Sequence, residues 1–170
     1  MQTITDCEKT IRSALRELWN KDRSLLNTDA SERAICHRLA IYIENILNVC
    51  GEKLNVDCEY NRMGLATPKR LIGLIDDKNP EGKSVYPDII IHSRNNNLRN
   101  VLVLEVKKSS SAHSDNFDKT KIAGYIRDLG YMYGCCLLIK VDTICTKLNC
   151  DDFYAIEMYP TLPDHRAAII

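Results

Sequence analysis

Apolar residues recur at helical spacing over the first fifty positions of the chain. Residues 5–26 predict an amphipathic helix, and its first four residues, 5–8, have the Thr-x-x-Glu pattern of a capping box. A second amphipathic helix is predicted to begin near Asp29 or Ser31 and to run to Cys50, just before a glycine that supplies a stop. The chain therefore opens with two helices, each with one apolar face available for packing.

The middle of the chain changes to the shorter alternation that is typical of β-strands. Residues 56–63 predict a first strand, and a long polar loop rich in proline and glycine follows as far as Val85. The segments 88–92 and 101–107 are rich in isoleucine, valine and leucine, and the turn-forming run 95–97 separates them. We expect these two segments to pair as a hairpin within a sheet.

The last third of the chain predicts one more helix and two more strands. The helix covers residues 115–133, and the strands cover 135–141 and 153–159. This order of elements predicts an α/β fold with a mixed sheet of four to five strands and helices on its faces. We expect a single domain with three parts, which are an N-terminal helix over 1–28, a core over 29–159 and a tail over 160–170.

Composition and charge narrow the classes of function. The chain has 170 residues, of which 45% are apolar and 27% are charged, and this composition excludes a disordered chain. Because 23 basic residues balance 23 acidic ones, the molecule is no polycation that coats nucleic acid through its overall charge. Residues 60–125 nevertheless carry eleven basic and seven acidic residues, a net charge of +4. A nucleic-acid partner would have to bind to a local patch in this region.

The cysteines indicate the expected compartment. The chain has eight cysteines, no Cys-x-x-Cys pair, no signal peptide and no apolar run of about 18 residues. We therefore expect free thiols, a cytoplasmic location and no association with a membrane. Metal ligation by cysteines is disfavoured, because Cys145 and Cys150 lack the closer, repeated spacing of zinc or iron–sulfur ligands.

Two acidic residues interrupt the two most apolar strands. Asp88 precedes three isoleucines, and Glu105 follows the run 101–104, Val-Leu-Val-Leu. Side chains alternate along a strand, so Glu105 and Lys107 share one face, and hairpin pairing brings Asp88 beside Glu105. Buried carboxylates are usually paired or bound to metal, and hard oxygen ligands suit Mg²⁺ or Mn²⁺. We therefore expect Asp88 and Glu105 to bind one of these ions, although a chance arrangement of surface charges is the alternative.

Two further residues complete the predicted site. Lys107 is expected to orient the attacking water or to neutralise charge in the transition state. Glu32 projects to the centre of the apolar face of the second helix, where it would reach the sheet as a third acidic ligand. The alternative for Glu32 is a role in the first helical turn, where a carboxylate favours the helix dipole and completes a capping box with Asp29.

These segments resemble the PD-(D/E)xK phosphodiesterase superfamily, which has the restriction-endonuclease-like fold. The resemblance rests on 87–92, Pro-Asp-Ile-Ile-Ile-His, and on 104–108, Leu-Glu-Val-Lys-Lys. It extends to 31–35 before the sheet, to 59–62 on the first strand and to 118–121 on the later helix, in the family's order αβββαβ. It implies a three-layer α/β/α fold, with catalytic residues Glu32, Asp88, Glu105 and Lys107, and with metal ligands Asp88, Glu105 and Glu32.

The resemblance also implies contacts with DNA. Lys121 is similar to an extra basic residue of many members that contacts a phosphate, although a solvated lysine is an equal alternative. The candidate residues for contact with the nucleic acid are Arg62, Arg94, Lys108 and Lys121. His92 either touches substrate or caps its strand. Tyr125 and Tyr131 either stack on unpaired bases or, as is more common on an amphipathic helix, lie in the core.

Three functions follow from these expectations. The first is a Mg²⁺-dependent or Mn²⁺-dependent deoxyribonuclease that hydrolyses a DNA phosphodiester with an activated water. The second is a binding module that holds nucleic acid or protein without cutting, and the third is a subunit of a larger nuclease, repair or defence assembly. The intact acid, acid and lysine set favours catalysis. Because many members act as dimers, a homodimer is also an expected form.

Overall fold

The structure is a computed structural model that describes residues 3–63, 67–72, 82–94, 99–111, 115–141 and 149–161. Its helices are α1 (Ile4–Asn27), α2 (Glu32–Val49) and α3 (Asp115–Leu129). Its strands are β1 (Asn55–Cys58), β2 (Arg62–Met63), β3 (Thr67–Pro68), β4 (Arg70–Leu71), β5 (Lys83–Ser84), β6 (Ile89–His92), β7 (Asn100–Lys108), β8 (Tyr133–Ile139) and β9 (Tyr154–Pro160). None of the helices in these residues is both long and apolar enough to cross a membrane.

The two N-terminal helices begin at residues with side-chain caps. Thr3 precedes α1 and accepts a hydrogen bond from the Asp6 amide, while Asp6 accepts one from the Thr3 amide. The capping box predicted at residues 5–8 is therefore wrong by two positions, because the segment 3–6 has the same spacing and adopts the cap geometry. Ser31 caps α2 by accepting from the Ala34 amide, so the later of the two predicted starts is confirmed.

Five strands form one mixed sheet in the order β1, β6, β7, β8 and β9. Neighbours are antiparallel except β7 and β8, which are parallel and are connected through α3. The predicted hairpin is confirmed by the pairing of β6 with β7, in which Ile89 lies opposite Leu104. The predicted turn at 95–97 lies outside the described residues.

Helices cover both faces of the sheet. On one face, α1 and α2 pack on the odd-numbered residues of β6 and the even-numbered residues of β7, such as Ile89 and Leu104. On the other face, α3 packs on Ile90 and Val103 through Ile122 and other apolar residues. The fold is thus mixed α/β, as expected, and the face that α3 covers is the one that carries residues 88, 105 and 107.

Two predicted elements are shorter than expected, and both end at a positive φ angle. The strand predicted over 56–63 breaks because Glu59 has a φ of 51°, so β1 ends at Cys58 and a separate β2 pairs with β3. The helix predicted over 115–133 ends at Leu129 because Gly130 adopts a φ of 68°. Glu59 therefore leaves its strand, and Tyr131 lies beyond the helix.

Candidate active site

Asp88 and Glu105 lie side by side where β6 enters the sheet. Asp88 comes immediately before β6, and one of its carboxylate oxygens, Oδ2, accepts a hydrogen bond of 2.8 Å from the Val106 amide. The register that places Ile89 opposite Leu104 sets Asp88 opposite Glu105. This bond anchors the Asp88 carboxylate to the backbone of the strand that carries Glu105.

Glu105 is an acidic side chain in the interior, with only 3% of its surface exposed. Its Oε2 is paired with the Lys121 ammonium of α3. Burial and the neighbouring Asp88 carboxylate raise the pKa of Glu105 to about 8, although Lys121 acts in the opposite direction. Burial likewise raises the pKa of Asp88. The Lys121 ammonium therefore does not fully compensate the Asp88 and Glu105 carboxylates. This condition favours the binding of a further cation.

The second oxygen of Glu105 makes no hydrogen bond of ordinary geometry among the described residues. Glu105 Oε1 is buried without a hydrogen bond, and so is the hydroxyl of Tyr125. The Tyr125 hydroxyl faces Glu105 and acts to lower its pKa, but the two groups do not align in a hydrogen bond of ordinary geometry. Because a buried carboxylate oxygen without a well-aligned hydrogen bond is costly, Oε1 is the oxygen of Glu105 available to bind a cation.

Lys107 points to the same face of the sheet, one pleat beyond Glu105. Its Nζ lies 2.7 Å from Asp118 Oδ2 on α3, and both side chains are largely buried. Glu105 and Lys107 of β7 thus pair with Lys121 and Asp118 of α3, respectively. The acid belongs to β7 in the first pair and to α3 in the second. Asp118 is not among the predicted site residues, but its carboxylate fixes the position of Lys107.

Glu32 reaches the site from the opposite face of the sheet. It lines a cavity of about 330 Å³ together with Asp88, and its charge acts to raise the pKa of Asp88. Its Oε1 is already engaged, however, because it accepts hydrogen bonds from the Lys108 amide at 3.0 Å and from the Ser111 hydroxyl at 2.6 Å. Glu32 therefore connects α2 to the end of β7, and its role as a metal ligand stays a prediction.

We expect Glu32→Ala to lower the free energy of unfolding by about 1–3 kcal/mol, because it leaves the Lys108 amide and the Ser111 hydroxyl without their acceptor. Glu32→Gln keeps an acceptor oxygen and should cost less. Urea unfolding followed by circular dichroism measures both values. Equal stability of Glu32→Ala and the wild type would show that this connection contributes nothing.

The basic residues predicted to grip DNA are mostly engaged within the chain. Arg94 is paired through two nitrogens with Asp57, Lys108 with Asp29 and Lys121 with Glu105. The alternative of a solvated Lys121 is therefore wrong, since its side chain is 15% exposed. Arg62 is exposed on β2 and also has an interaction within the chain. Contact of these residues with nucleic acid stays a prediction.

His92, Tyr125 and Tyr131 are buried and make contacts within the protein. His92 is 3% exposed, and its Nε2 lies 2.9 Å from Asp57 Oδ2, which favours the role of a capped strand end. Tyr125 and Tyr131 are fully buried with their ring centres 6.2 Å apart, so they lie in the core and cannot stack on bases. The hydrogen bonds from His92 and Arg94 lower the pKa of Asp57 against the effect of its burial.

Lys69 is a buried cation that sequence analysis counted only as part of the basic middle region. Its side chain is 2% exposed, and its Nζ donates to the carbonyls of Tyr60 at 3.1 Å and Arg62 at 2.8 Å. The ammonium also lies 4.6 Å from the centre of the Tyr60 ring. Burial lowers the pKa of Lys69 to about 8. Lys69 therefore holds the backbone around β2 and is not available to a nucleic acid.

We expect the stability of the wild type relative to Lys69→Met to rise between about pH 8 and pH 10.5. In this range the unfolded lysine keeps its proton while the buried one loses it, so the unfolded state binds more protons and stability rises with pH. Urea unfolding of both proteins across this range gives the difference. Parallel pH profiles would contradict a lowered pKa at Lys69.

The residues present fit a divalent cation at Asp88 and Glu105. Within the described part of the chain, no three His, Cys, Asp or Glu side chains already converge as a formed metal site. Asp88 and Glu105 nevertheless supply the hard oxygen donors that Mg²⁺ and Mn²⁺ prefer, and Glu105 Oε1 makes no ordinary hydrogen bond. The seven cysteines in these residues are free thiols, and Cys145 lies outside them.

Comparison of the chain with protein-family models, with curated proteins and with solved structures finds no match. The functional conclusion therefore rests on the residues and their geometry.

Proposed function

We propose that the chain is a metal-dependent nuclease of the PD-(D/E)xK type, which hydrolyses DNA phosphodiester bonds with a water molecule as the nucleophile. One observation carries this proposal: Glu105, almost completely buried beside Asp88, has a carboxylate oxygen, Oε1, that makes no hydrogen bond of ordinary geometry among the described residues. A buried carboxylate of this kind stabilises the fold poorly but is well suited to bind a cation.

The order of elements supports the same proposal. The sequence α2, β1, β6, β7, α3 and β8 follows the order αβββαβ of the restriction-endonuclease-like fold, if the short strands between β1 and β6 are taken as an insertion. The two central strands, β6 and β7, carry the Asp and the Glu-x-Lys segments. In this proposal, α1 and β9 are additions that extend the helical layer and the edge of the sheet.

Each residue then has a definite task. Asp88 and Glu105 would hold the ion, which when bound polarises a phosphoryl oxygen and lowers the pKa of water. Lys107, held by Asp118 at 2.7 Å, would place its positive charge near the phosphoryl oxygens as negative charge develops on them. Lys121 must move away from Glu105 Oε2 for that oxygen to act as a ligand, and its ammonium is then available to the substrate.

A binding role without catalysis is the second proposal. It is favoured by the two reversed ion pairs, Glu105 with Lys121 and Lys107 with Asp118, because they neutralise these side chains within the protein. A subunit of a larger nuclease, repair or defence assembly, or a homodimer, is compatible with either proposal.

The experiment that separates the two proposals is a cleavage assay with plasmid, single-stranded and branched DNA in Mg²⁺ or Mn²⁺. The nuclease proposal expects cleavage that EDTA stops, and expects none from Asp88→Asn purified in the same way. Binding of DNA by both proteins without cleavage in any metal would support the second proposal and contradict the first.

A further inference from the structure

We propose that the site takes DNA with unpaired bases, and that Phe117 stacks on one of those bases. This inference rests on the proposed function for the reaction, but its binding step can be measured without cleavage. Four large apolar side chains are exposed among the described residues, and two of them are aromatic, Tyr86 and Phe117. Both belong to segments that carry site residues.

Phe117 lies at the edge of the candidate site. Its side chain is 49% exposed and precedes Asp118, the partner of Lys107. Its ring centre lies 6.0 Å from Lys121 Nζ, and that ammonium is paired with Glu105. A base stacked on this ring would place its phosphate near the Lys121 ammonium.

The helix geometry places Phe117 on the side of α3 that faces β6, the strand that Asp88 precedes. Residues 117 and 119 of a helix lie about 200° apart around its axis. Because Lys119 reaches Glu157 on β9, Phe117 lies on the opposite side of α3, toward β6. Tyr86 is 57% exposed and precedes Asp88 by two residues on the chain, so it adds a second aromatic ring to the segment that leads into β6.

The charges argue against recognition of a duplex through its backbone. Duplex binding depends on cations that neutralise phosphates, but Arg94, Lys108 and Lys119 are each paired with a carboxylate of the chain. A phosphate contact at the largely buried Lys108 competes with its pair to Asp29, whereas the exposed pair of Lys119 with Glu157 opposes such a contact only weakly. Stacking requires no free cation and adds the most energy when bases are unpaired, since every unpaired base offers both faces to an aromatic ring.

The test measures binding of a fluorescein-labelled oligothymidylate of about 20 nucleotides, longer than one typical binding site, and of a duplex of equal length. Binding is measured by fluorescence anisotropy, and EDTA in the buffer prevents cleavage during the measurement. We expect the single strand to bind more tightly than the duplex, and Phe117→Ala to weaken binding of the single strand by about five- to a hundredfold. Phe117→Trp should restore it, and Val49→Ala, which removes an exposed apolar side chain on α2, should not change it.

The outcomes distinguish this inference from the proposed function. A duplex bound as tightly as the single strand, unchanged binding by Phe117→Ala, or no binding of either DNA by the wild type would overturn the stacking role. Binding that depends on Phe117, with no cleavage by the wild type in any metal, would keep the inference and overturn the nuclease. If the wild type and Phe117→Ala both cleave single strand and duplex at equal rates, the nuclease proposal stands and the inference about Phe117 is overturned.

Discussion

Glu105→Gln is expected to reduce metal-dependent DNA cleavage by at least about a hundredfold, the scale seen when one charge-stabilising group is lost from an active site. The amide keeps the size of the side chain but removes its negative charge, so it binds a hard divalent cation poorly. The substitution leaves Asp88 without the neighbouring carboxylate that completes the proposed site. Initial rates at saturating Mg²⁺, with the fold checked by circular dichroism, measure the loss.

Glu157→Gln is the matched control for this variant. Glu157 also pairs with a lysine of α3, Lys119, at 2.8 Å, but 53% of its side chain is exposed. An exposed ion pair contributes about 0–1 kcal/mol at most, so we expect unchanged cleavage. Equal activity of Glu105→Gln and Glu157→Gln would mean that Glu105 acts only as a structural partner of α3.

Gly134→Ala is expected to lower the free energy of unfolding by about 1–3 kcal/mol, the usual cost of overpacking a core. A Cβ atom at position 134 would lie 2.3 Å from Ile122 Cγ2, and Ile122 is fully buried. The contact joins β8 to the middle of α3, so relief of the clash requires Ile122, β8 or the helix that positions Asp118 and Lys121 to move. Urea unfolding gives the change in stability, and the cleavage assay reports the displacement of α3.

A double-mutant cycle with Ile122→Ala identifies the cause of this loss. Ile122→Ala alone should cost about 2–5 kcal/mol, because it leaves a cavity. In that background the added methyl group of Gly134→Ala has room, so its own cost should disappear. A cost of Gly134→Ala that is the same in both backgrounds would assign the effect to the backbone of β8 and not to the clash.

The hairpin and its acidic residues could be predicted because the signal is local. Two short, continuously apolar runs, one preceded by an acid and one followed by an acid, predict the strands, and the alternation of side chains along a strand gives the shared face of Asp88 and Glu105. The mixed sheet, predicted with four to five strands and observed with five, follows from the order of such runs. The start of α1 was misplaced because two overlapping segments satisfy the same capping pattern, and only one adopts the geometry.

The partners of the site residues could not be predicted because they depend on how α3 docks. No pattern in the sequence states that Lys121 meets Glu105 while Asp118 meets Lys107. The burial of Lys69 could not be predicted either, because it depends on the tertiary position of the Tyr60 and Arg62 carbonyls that accept from its ammonium. Charges near a site can be counted from the sequence, but their internal pairing is a tertiary property.

Titration calorimetry with Mn²⁺ measures whether Asp88 and Glu105 together bind one divalent cation. We expect the wild type to bind Mn²⁺ with release of a proton, because the pKa of Glu105 is raised to about 8 and ligation requires its ionised form. Repeating the titration in buffers of different ionisation enthalpy detects that proton. Asp88→Asn and Glu105→Gln, both folded, should show no binding heat. Binding of Mn²⁺ by both variants with the affinity of the wild type would contradict a cation site formed by Asp88 and Glu105.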